Sequence, residues 1–321
     1  MTVPAGGDHW SEIMNHRILI TGSSGLVGGA LLPAFASRGL EVECFDIRAS
    51  GAARGDVRDG ERVRRAVLRC DGILHLAAVS RVVWGERDPA LCWSTNVDGT
   101  RNVLEAAATS PRRPWVVLAS SREVYGQPDS LPVGEDCPVR PMNVYGRSKA
   151  AAEELISAAR RDGLRACTLR LSNVFGATTD HADRVVPAFA RAAVAGEPLR
   201  VEGADHTFDF THTGDVARGV VALAEMLAAG EAAPPPIHFV SGTPTTLGEL
   251  AAMAIRIAGT GSTVRRAAPR DFDVARFVGS PARAEALLGW RPQIGLEEGL
   301  TRLIHDFRRE LSAGHEEEAA S

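Results

Sequence analysis

Through most of the chain, short runs of branched aliphatic residues alternate with stretches whose apolar positions recur every three or four residues. A period of two marks a pleated strand, and a period near 3.6 marks one face of a helix. The runs at 17–21, 41–46, 72–77, 115–119 and 165–171 predict strands, and the stretches at 26–38, 60–70, 96–108 and 143–161 predict helices. Strands separated by helices join as parallel neighbours, so the pattern predicts an α/β doubly wound parallel sheet covered on both faces. Beyond residue 177 the alternation loosens. Helical spacing returns at 185–195, 214–228, 247–258, 281–288 and 296–311, with strands at 199–201 and 237–240. The expected organisation is a sheet domain, 16–177 plus 210–241, and a smaller C-terminal domain, 178–209 plus 242–311. Residues 1–15 and 312–321 are polar, lack an apolar period, and read as flexible tails.

The segment Thr21-Gly22-Ser23-Ser24-Gly25-Leu26-Val27-Gly28 falls between the first strand and the first helix. Glycines there let the backbone turn tightly and approach a pyrophosphate, and the helix N-terminus offers unpaired N–H groups. Many strand-to-helix turns need glycine, so this pattern gains weight only beside a second signal. Asp46 ends the second strand, 18 residues beyond Gly28. A carboxylate there can accept hydrogen bonds from both ribose hydroxyls of an adenosine and repels a 2′-phosphate, which favours NAD over NADP. Arg48 is a mild opposing sign. In such a sheet the ligand lies beyond the carboxyl ends of the strands.

Composition sharpens one further motif. Of 36 basic residues only Lys149 is a lysine, and Tyr125 and Tyr145 are the only tyrosines. Lys149 follows Tyr145 by four residues, a spacing that puts both on one helical face. The chance of that spacing is about 2 in 320 for a pair with this mechanism. A neighbouring cation lowers a phenol's pKa, so the phenolate can take a proton from an alcohol while hydride leaves for a nicotinamide. Arginine's rigid fork would serve that role badly. Ser121, just past the fourth strand, can bond a substrate hydroxyl and share its proton with Tyr145. Glu123 is a candidate base, and Tyr125 reads as structural.

The remaining composition excludes classes of function. A net charge of −4 and a pI near 6.2 argue against a nucleic-acid partner held by bulk charge. No apolar stretch approaches the roughly 18 residues of a membrane span. The first residues show no secretory pattern. Five scattered cysteines without a CxxC pair predict a reducing, cytoplasmic location and no structural zinc. None of the histidines reads as a metal ligand, and His75 reads as a loop support.

Taken in order, these motifs resemble the extended short-chain dehydrogenase/reductases, specifically the nucleotide-sugar epimerase/dehydratase family. The resemblance covers residues 17–310 through TGSSGLVG at 21–28, GDVRD at 55–59, HLAA at 75–78, TNVDGTRNVLEAA at 95–107, SSREVYG at 120–126, NVYGRSK at 143–149, RLSNVFG at 170–176, DFTHTGDVARG at 209–219 and LGWRP at 288–292. It implies a Rossmann-like NAD-binding domain and a C-terminal substrate domain for a nucleotide sugar, expected to be UDP-linked. It places Gly22, Gly25, Leu26, Val27, Gly28, Asp46 and Arg48 against NAD, with Asp56 and Val57 at the adenine. Leu76, Ala77 and Ala78 would line the cofactor channel, joined by Asn96, Ser120, Tyr145 and Lys149. Ser80, Ser121, Arg122, Asn173, Val186, Val201 and Arg270 would face the substrate, Asn173 and Arg270 at its diphosphate. Two helices matching the family's dimer face, about 96–108 and 143–161, imply a homodimer.

Two positions depart from the family's pattern. Phe208 stands before Asp-Phe where many members carry a substrate arginine, and Arg122 stands where 4,6-dehydratases carry an aspartate. Glu123 is retained. One expectation is therefore dehydration: oxidation at C4, removal of the C5 proton by Glu123, and loss of water from C6 in a 5,6- or 4,6-sense. The 5,6 version resembles the UDP-hexosamine dehydratases of nucleoside-antibiotic (tunicamycin-type) pathways. The alternative is a 4-epimerase needing only Tyr145, Ser121 and Lys149. UDP-glucuronate decarboxylation comes third, and a catalytically dead NAD-sensing module is the reading from another class.

Overall fold

The structure, a computed structural model, describes residues 16–320, with side chains through residue 313. Residues 1–15, expected as a tail, lie outside the described residues. In chain order the sheet region holds β1 (Arg17–Thr21), α1 (Leu26–Ala36), β2 (Glu41–Phe45), α2 (Gly60–Val67), β3 (Gly72–His75), α3 (Val82–Arg87), α4 (Pro89–Trp93), α5 (Gly99–Thr109), β4 (Trp115–Ser121), α6 (Val144–Arg161) and β5 (Ala166–Leu171). Then come β6 (Asn173–Phe175), α7 (Val185–Ala195), β7 (Leu199–Glu202), β8 (Thr207–His212), α8 (Thr213–Ala228), β9 (Ile237–Phe239), β10 (Pro244–Thr246), α9 (Leu247–Ala258), β11 (Val264–Ala267), α10 (Ala282–Leu288) and α11 (Leu296–Ala320).

Six strands form one parallel sheet in the order β2-β1-β3-β4-β5-β9. Alternation along each strand sends side chains to opposite faces. Ile18 and Ile20 of β1 pack with Leu31 and Phe35 of α1 and Val220 and Leu223 of α8. Leu19 faces the other way, toward Val63, Val103 and Ile156 from α2, α5 and α6. Each buried aliphatic or aromatic side chain contributes about 1.5–3 kcal/mol, so both faces must be covered for the sheet to persist. This is the doubly wound arrangement that the alternation predicts.

The C-terminal portion has its own core, built from Phe189 and Ala190 of α7, Leu199 and Val201 of β7, Phe208 and Phe210 of β8, Leu250 of α9 and Leu303 and Phe307 of α11. Small sheets β10-β8-β6 and β11-β7 frame it.

Three expectations need correction here. Residues 312–320 are not a loose tail, because α11 runs unbroken to Ala320; this Ala- and Glu-rich stretch needs no apolar stripe to favour a helix. The helix expected from residue 96 begins instead as a π-turn, Ser94–Asp98, before α5. Val201 is fully buried in the C-terminal core. The period of two along β7 turns its neighbours Arg200 and Glu202 toward the open side.

Candidate functional site

A cavity of about 860 Å³ opens at the carboxyl ends of β1 to β5, between the sheet and the C-terminal portion. One half is shaped by backbone. Gly22 has φ +73°, and a Cβ there would lie 2.6 Å from the Ala77 nitrogen. A Cβ on Gly28 would lie 2.5 Å from the Gly22 carbonyl oxygen. The turn therefore closes only on glycine. No side chain caps α1, and its first N–H groups have no partner within the helix. A bare helix N-terminus inside a side-chain-free cradle fits a pyrophosphate, so these residues suit a dinucleotide.

Asp46 sits beside this cradle. Its Oδ2 accepts the Ser24 N–H at 2.9 Å, and its Oδ1 accepts the Arg48 N–H at 2.7 Å. Both bonds fix the carboxylate at the cavity wall. The Arg48 guanidinium donates to the Ser24 carbonyl at 2.6 Å, which ties it to the turn. Asp56 pairs with Arg58 at 2.5 Å, and that hydrogen bond holds its carboxyl below the ordinary range. Leu26, Val27, Val57, Leu76, Ala77 and Ala78 complete this wall. Behind it, buried His75 bridges Thr21 and Thr100 through its two ring nitrogens, and burial pulls its pKa down to about 3.

Asn96 does not reach the cavity. Its side chain pairs with both backbone groups of Val79 and donates to Ser148 Oγ at 2.8 Å. It pins the loop after β3 to α6, a positioning role that its place in the motif did not reveal.

The floor joins the end of β4 to the start of α6. Asn143 caps α6 by accepting the Gly146 N–H at 2.7 Å, so the cap stands two residues before Tyr145 and the helix starts at Val144. Lys149 Nζ lies 6.0 Å from the Tyr145 ring centre and donates to the Ala119 carbonyl at 2.9 Å. Burial pulls Lys149 down to about 8. Burial also pushes the Tyr145 phenol up to about 12, against the opposing hydrogen bond with Ser121. The phenol is thus raised, whereas the adjacent lysine alone predicts a lowered one; desolvation outweighs the Ser121 hydrogen bond and the Arg184 charge.

Glu123 lines the cavity with both oxygens engaged. Its Oε2 accepts from Asn143 Nδ2 at 2.8 Å, and its Oε1 pairs with Arg122 Nη2 at 3.0 Å. Ser120 donates to Glu153 at 2.5 Å, and Glu153 pairs with Arg170, which donates to the Tyr125 hydroxyl at 2.7 Å. Tyr125 also meets His238 Nε2 at 2.6 Å, a buried structural role.

The other half of the cavity is made of side chains from distant segments. Ser80, Arg122, Asn173, Val186 and Arg270 line it. Arg270 is half-exposed at the rim and pairs with Asp273 and Glu202. Arg81, Asp180, Asp183, Arg184, Arg200 and His206 also line it and were not anticipated. They lie in loops or on a short edge strand without periodic signal; only the run of charges at 180–184 marked the region. Arg81 pairs with Asp183 at 2.5 Å, and burial raises the Asp180 carboxyl. Among the described residues no cluster of His, Cys, Asp or Glu is placed to hold a metal ion.

Known proteins align with this chain over nearly its whole length. The NAD dependent epimerase/dehydratase family matches residues 18–239. UDP-glucuronic acid decarboxylase 1 of Xenopus tropicalis is 30% identical over 319 aligned residues, covering 94% of this chain and 74% of that protein. The UDP-glucose 4-epimerase of Thermus thermophilus, solved with NAD, superposes with a TM-score of 0.83 at 31% identity, covering 91% of this chain and 99% of that one. A dTDP-glucose 4,6-dehydratase of Streptomyces venezuelae, also solved with NAD, gives 0.82 at 28% identity, covering 92% and 97%. With the glycine cradle, the Tyr145–Lys149 pair and the Ser121 hydroxyl gathered in one cavity, the chain belongs to the NAD dependent epimerase/dehydratase family.

Proposed function

We infer that this protein binds NAD and a nucleoside diphosphate sugar, expected to be UDP-linked, and inverts the sugar at C4. The observation that carries this reading is the placement of Tyr145, Ser121 and Lys149 beside the glycine cradle in one cavity. NAD supplies the hydride acceptor. Ser121 bonds the C4 hydroxyl and passes its proton to Tyr145 as the C4–H pair of electrons leaves as hydride. Once the 4-ketone has turned its other face to the cofactor, return of the hydride and proton gives the C4 epimer with no net redox change. Lys149 stabilises the phenolate that this chemistry needs. The three relatives compared above carry names for three different reactions. Oxidation at C4 is the step that the residues of this chain can perform.

Glu123 supports a second reading, dehydration. Its carboxylate lines the cavity and could take the C5 proton of a 4-ketone and hand it to the departing C6 hydroxyl. Its neighbour at the acid position is Arg122, which cannot protonate a leaving group, and both Glu123 oxygens are already engaged. The first reading therefore ranks above it. Pairing of two protomers through α5 and α6 belongs to the same proposal, with mass in solution as its check.

The test is incubation of the NAD-loaded protein with a panel of nucleotide sugars in deuterated water, followed by NMR and mass spectrometry. An isomer of equal mass without deuterium supports epimerisation. A product lighter by one water transfers the assignment to dehydration. Bound NAD with no sugar consumed overturns both and leaves a binding module.

A further inference from the structure

Between β6, which ends at Phe175, and α7, which begins at Val185, the chain runs along the cavity, and Asp180, His181, Asp183 and Arg184 line it. This stretch shapes itself. The Asp180 N–H donates to the Ala177 carbonyl at 3.3 Å, and the Arg184 N–H donates to the His181 carbonyl at 2.9 Å. Asp180 Oδ1 accepts the His181 N–H at 2.8 Å and faces Arg184 Nε at 3.5 Å. Its ties to the rest of the molecule are few. Among the described residues, the hydrogen bonds, ion pairs and ring contacts of residues 177–184 that leave the stretch and the first turn of α7 all reach the segment after β3. Arg81 donates to Asp183 Oδ1 at 2.5 Å and to the Asp183 carbonyl at 3.1 Å. The Trp84 and His181 rings meet edge to face at 4.6 Å. Arg81 and Trp84 line the cavity too, so two of its walls are joined by one ion pair and one ring contact.

The stretch also reaches from one end of the cradle to the other. The charge of Arg48, next to Asp46, bears on His181, and the charge of Arg184 bears on Tyr145 at the floor. Resting on the C4 reading above, we propose that residues 177–184 are a strap, latched to Arg81 and Trp84, whose release sets the rate at which NAD enters and leaves. The chemistry gives the latch its use. In C4 inversion the hydride taken from a sugar returns to that sugar, so a cofactor lost between the two transfers carries the hydride away and strands a ketone. The latch is also built to open. The Arg81 side chain is 12% exposed and that of Asp183 57%, so water and salt reach the pair from the anion's side while the packed core stays closed. A gate has its own kinetic mark: it slows entry and exit alike and leaves affinity nearly unchanged, whereas a lost ligand contact speeds exit alone.

Exchange of the reduced cofactor reads this without turnover. Protein loaded with NADH is mixed with excess NAD, and the decay of NADH fluorescence times exit; equilibrium titration gives the affinity, and the two together give entry. Arg81→Gln and Asp183→Asn should each speed both exit and entry by about threefold to tenfold, with Kd moved less than about twofold. The exchanged pair, Arg81→Asp with Asp183→Arg, should recover slow exit at least in part. Rising salt should speed exit in wild type and do so less in Asp183→Asn. An unchanged melting temperature checks that each variant folds. Exit unmoved by both single changes overturns the proposal. Faster exit with unchanged entry also overturns it, because Arg81 then serves as a contact to the cofactor. Additive effects in the exchanged pair do the same, since the two residues then act apart. C4 inversion by a wild type whose exit neither single change alters would leave the C4 reading standing and remove the strap.

Discussion

The two halves of the cavity are built by different means. Around Gly22, Gly28 and Asp46 the wall is backbone, and its side chains are locked by main-chain bonds, as the two amides on Asp46 show. Around Arg122, Phe208, Arg184 and Arg270 the wall is side chain against side chain, drawn from separate segments. A backbone wall tolerates one shape and so preserves one ligand. A side-chain wall can change its ligand by one substitution. The lesson is that the half built for the cofactor can be kept while the half facing it changes its ligand.

The sharpest way to break this contrast is at the floor that both halves share. Tyr145→Phe should lower kcat by about 10²–10⁴ with NAD still bound; turnover within threefold of wild type would refute the role given to the phenol. Lys149→Arg should fail nearly as badly, read in the same assay. Next comes the backbone half. Gly28→Ala drives a methyl to 2.5 Å from the Gly22 oxygen and should weaken NAD at least tenfold in a fluorescence titration. An alanine there with unchanged NAD affinity would mean that the cradle is soft. Glu123→Gln then separates the two reactions. It should cost epimerisation less than about tenfold, since the amide keeps one bond to the Asn143 side chain or the Arg122 fork, whereas dehydration would stop. Asp46→Ala should narrow the preference for NAD over NADP by roughly tenfold. The mildest effect is on stability. His75, behind the backbone half, and His238, beneath the side-chain half, have folded pKa values pulled down to about 3 by burial. Their stabilising contribution is complete above the ordinary histidine value near 6.5 and fades as pH falls toward 3, because the unfolded chain takes up the protons first. Tm should drop by at least roughly 5 °C across that window, and His75→Gln should flatten part of the slope.

The same contrast decides what could be read from the sequence. Strand and helix periods along β1 to β5 were legible, because each face packs on a continuous core and every position repeats the message. The glycine turn and the Tyr145–Lys149 spacing were legible because local geometry demands those residues. The stacking of Arg122 on Phe208 was not. Each was visible as a departure, but their contact exists only after β8 is brought beside the end of β4. Val201 failed for a similar reason: on a four-residue strand the inward phase depends on what packs beneath it. Asn96 was aimed at the cofactor but holds the loop after β3, since a residue holding that loop and a residue touching a ligand leave the same mark in a motif.

The place of β9 in the sheet sets a timetable for making the molecule. Ile237 and Phe239 pair with Leu169 and Leu171, although β6, α7, β7, β8 and α8 intervene in the chain. Trp290 then seals Phe239, its ring centre 4.8 Å away, and its indole donates to the Asp215 carbonyl at 2.9 Å. A chain still emerging from the ribosome therefore carries β5 with an unpaired, apolar edge until Ile237–Phe239 has been synthesised. Such edges recruit other chains. The interval between β5 and Trp290 is the stretch of translation during which a chaperone has most to shield, and slowing synthesis there should lower the yield of soluble protein.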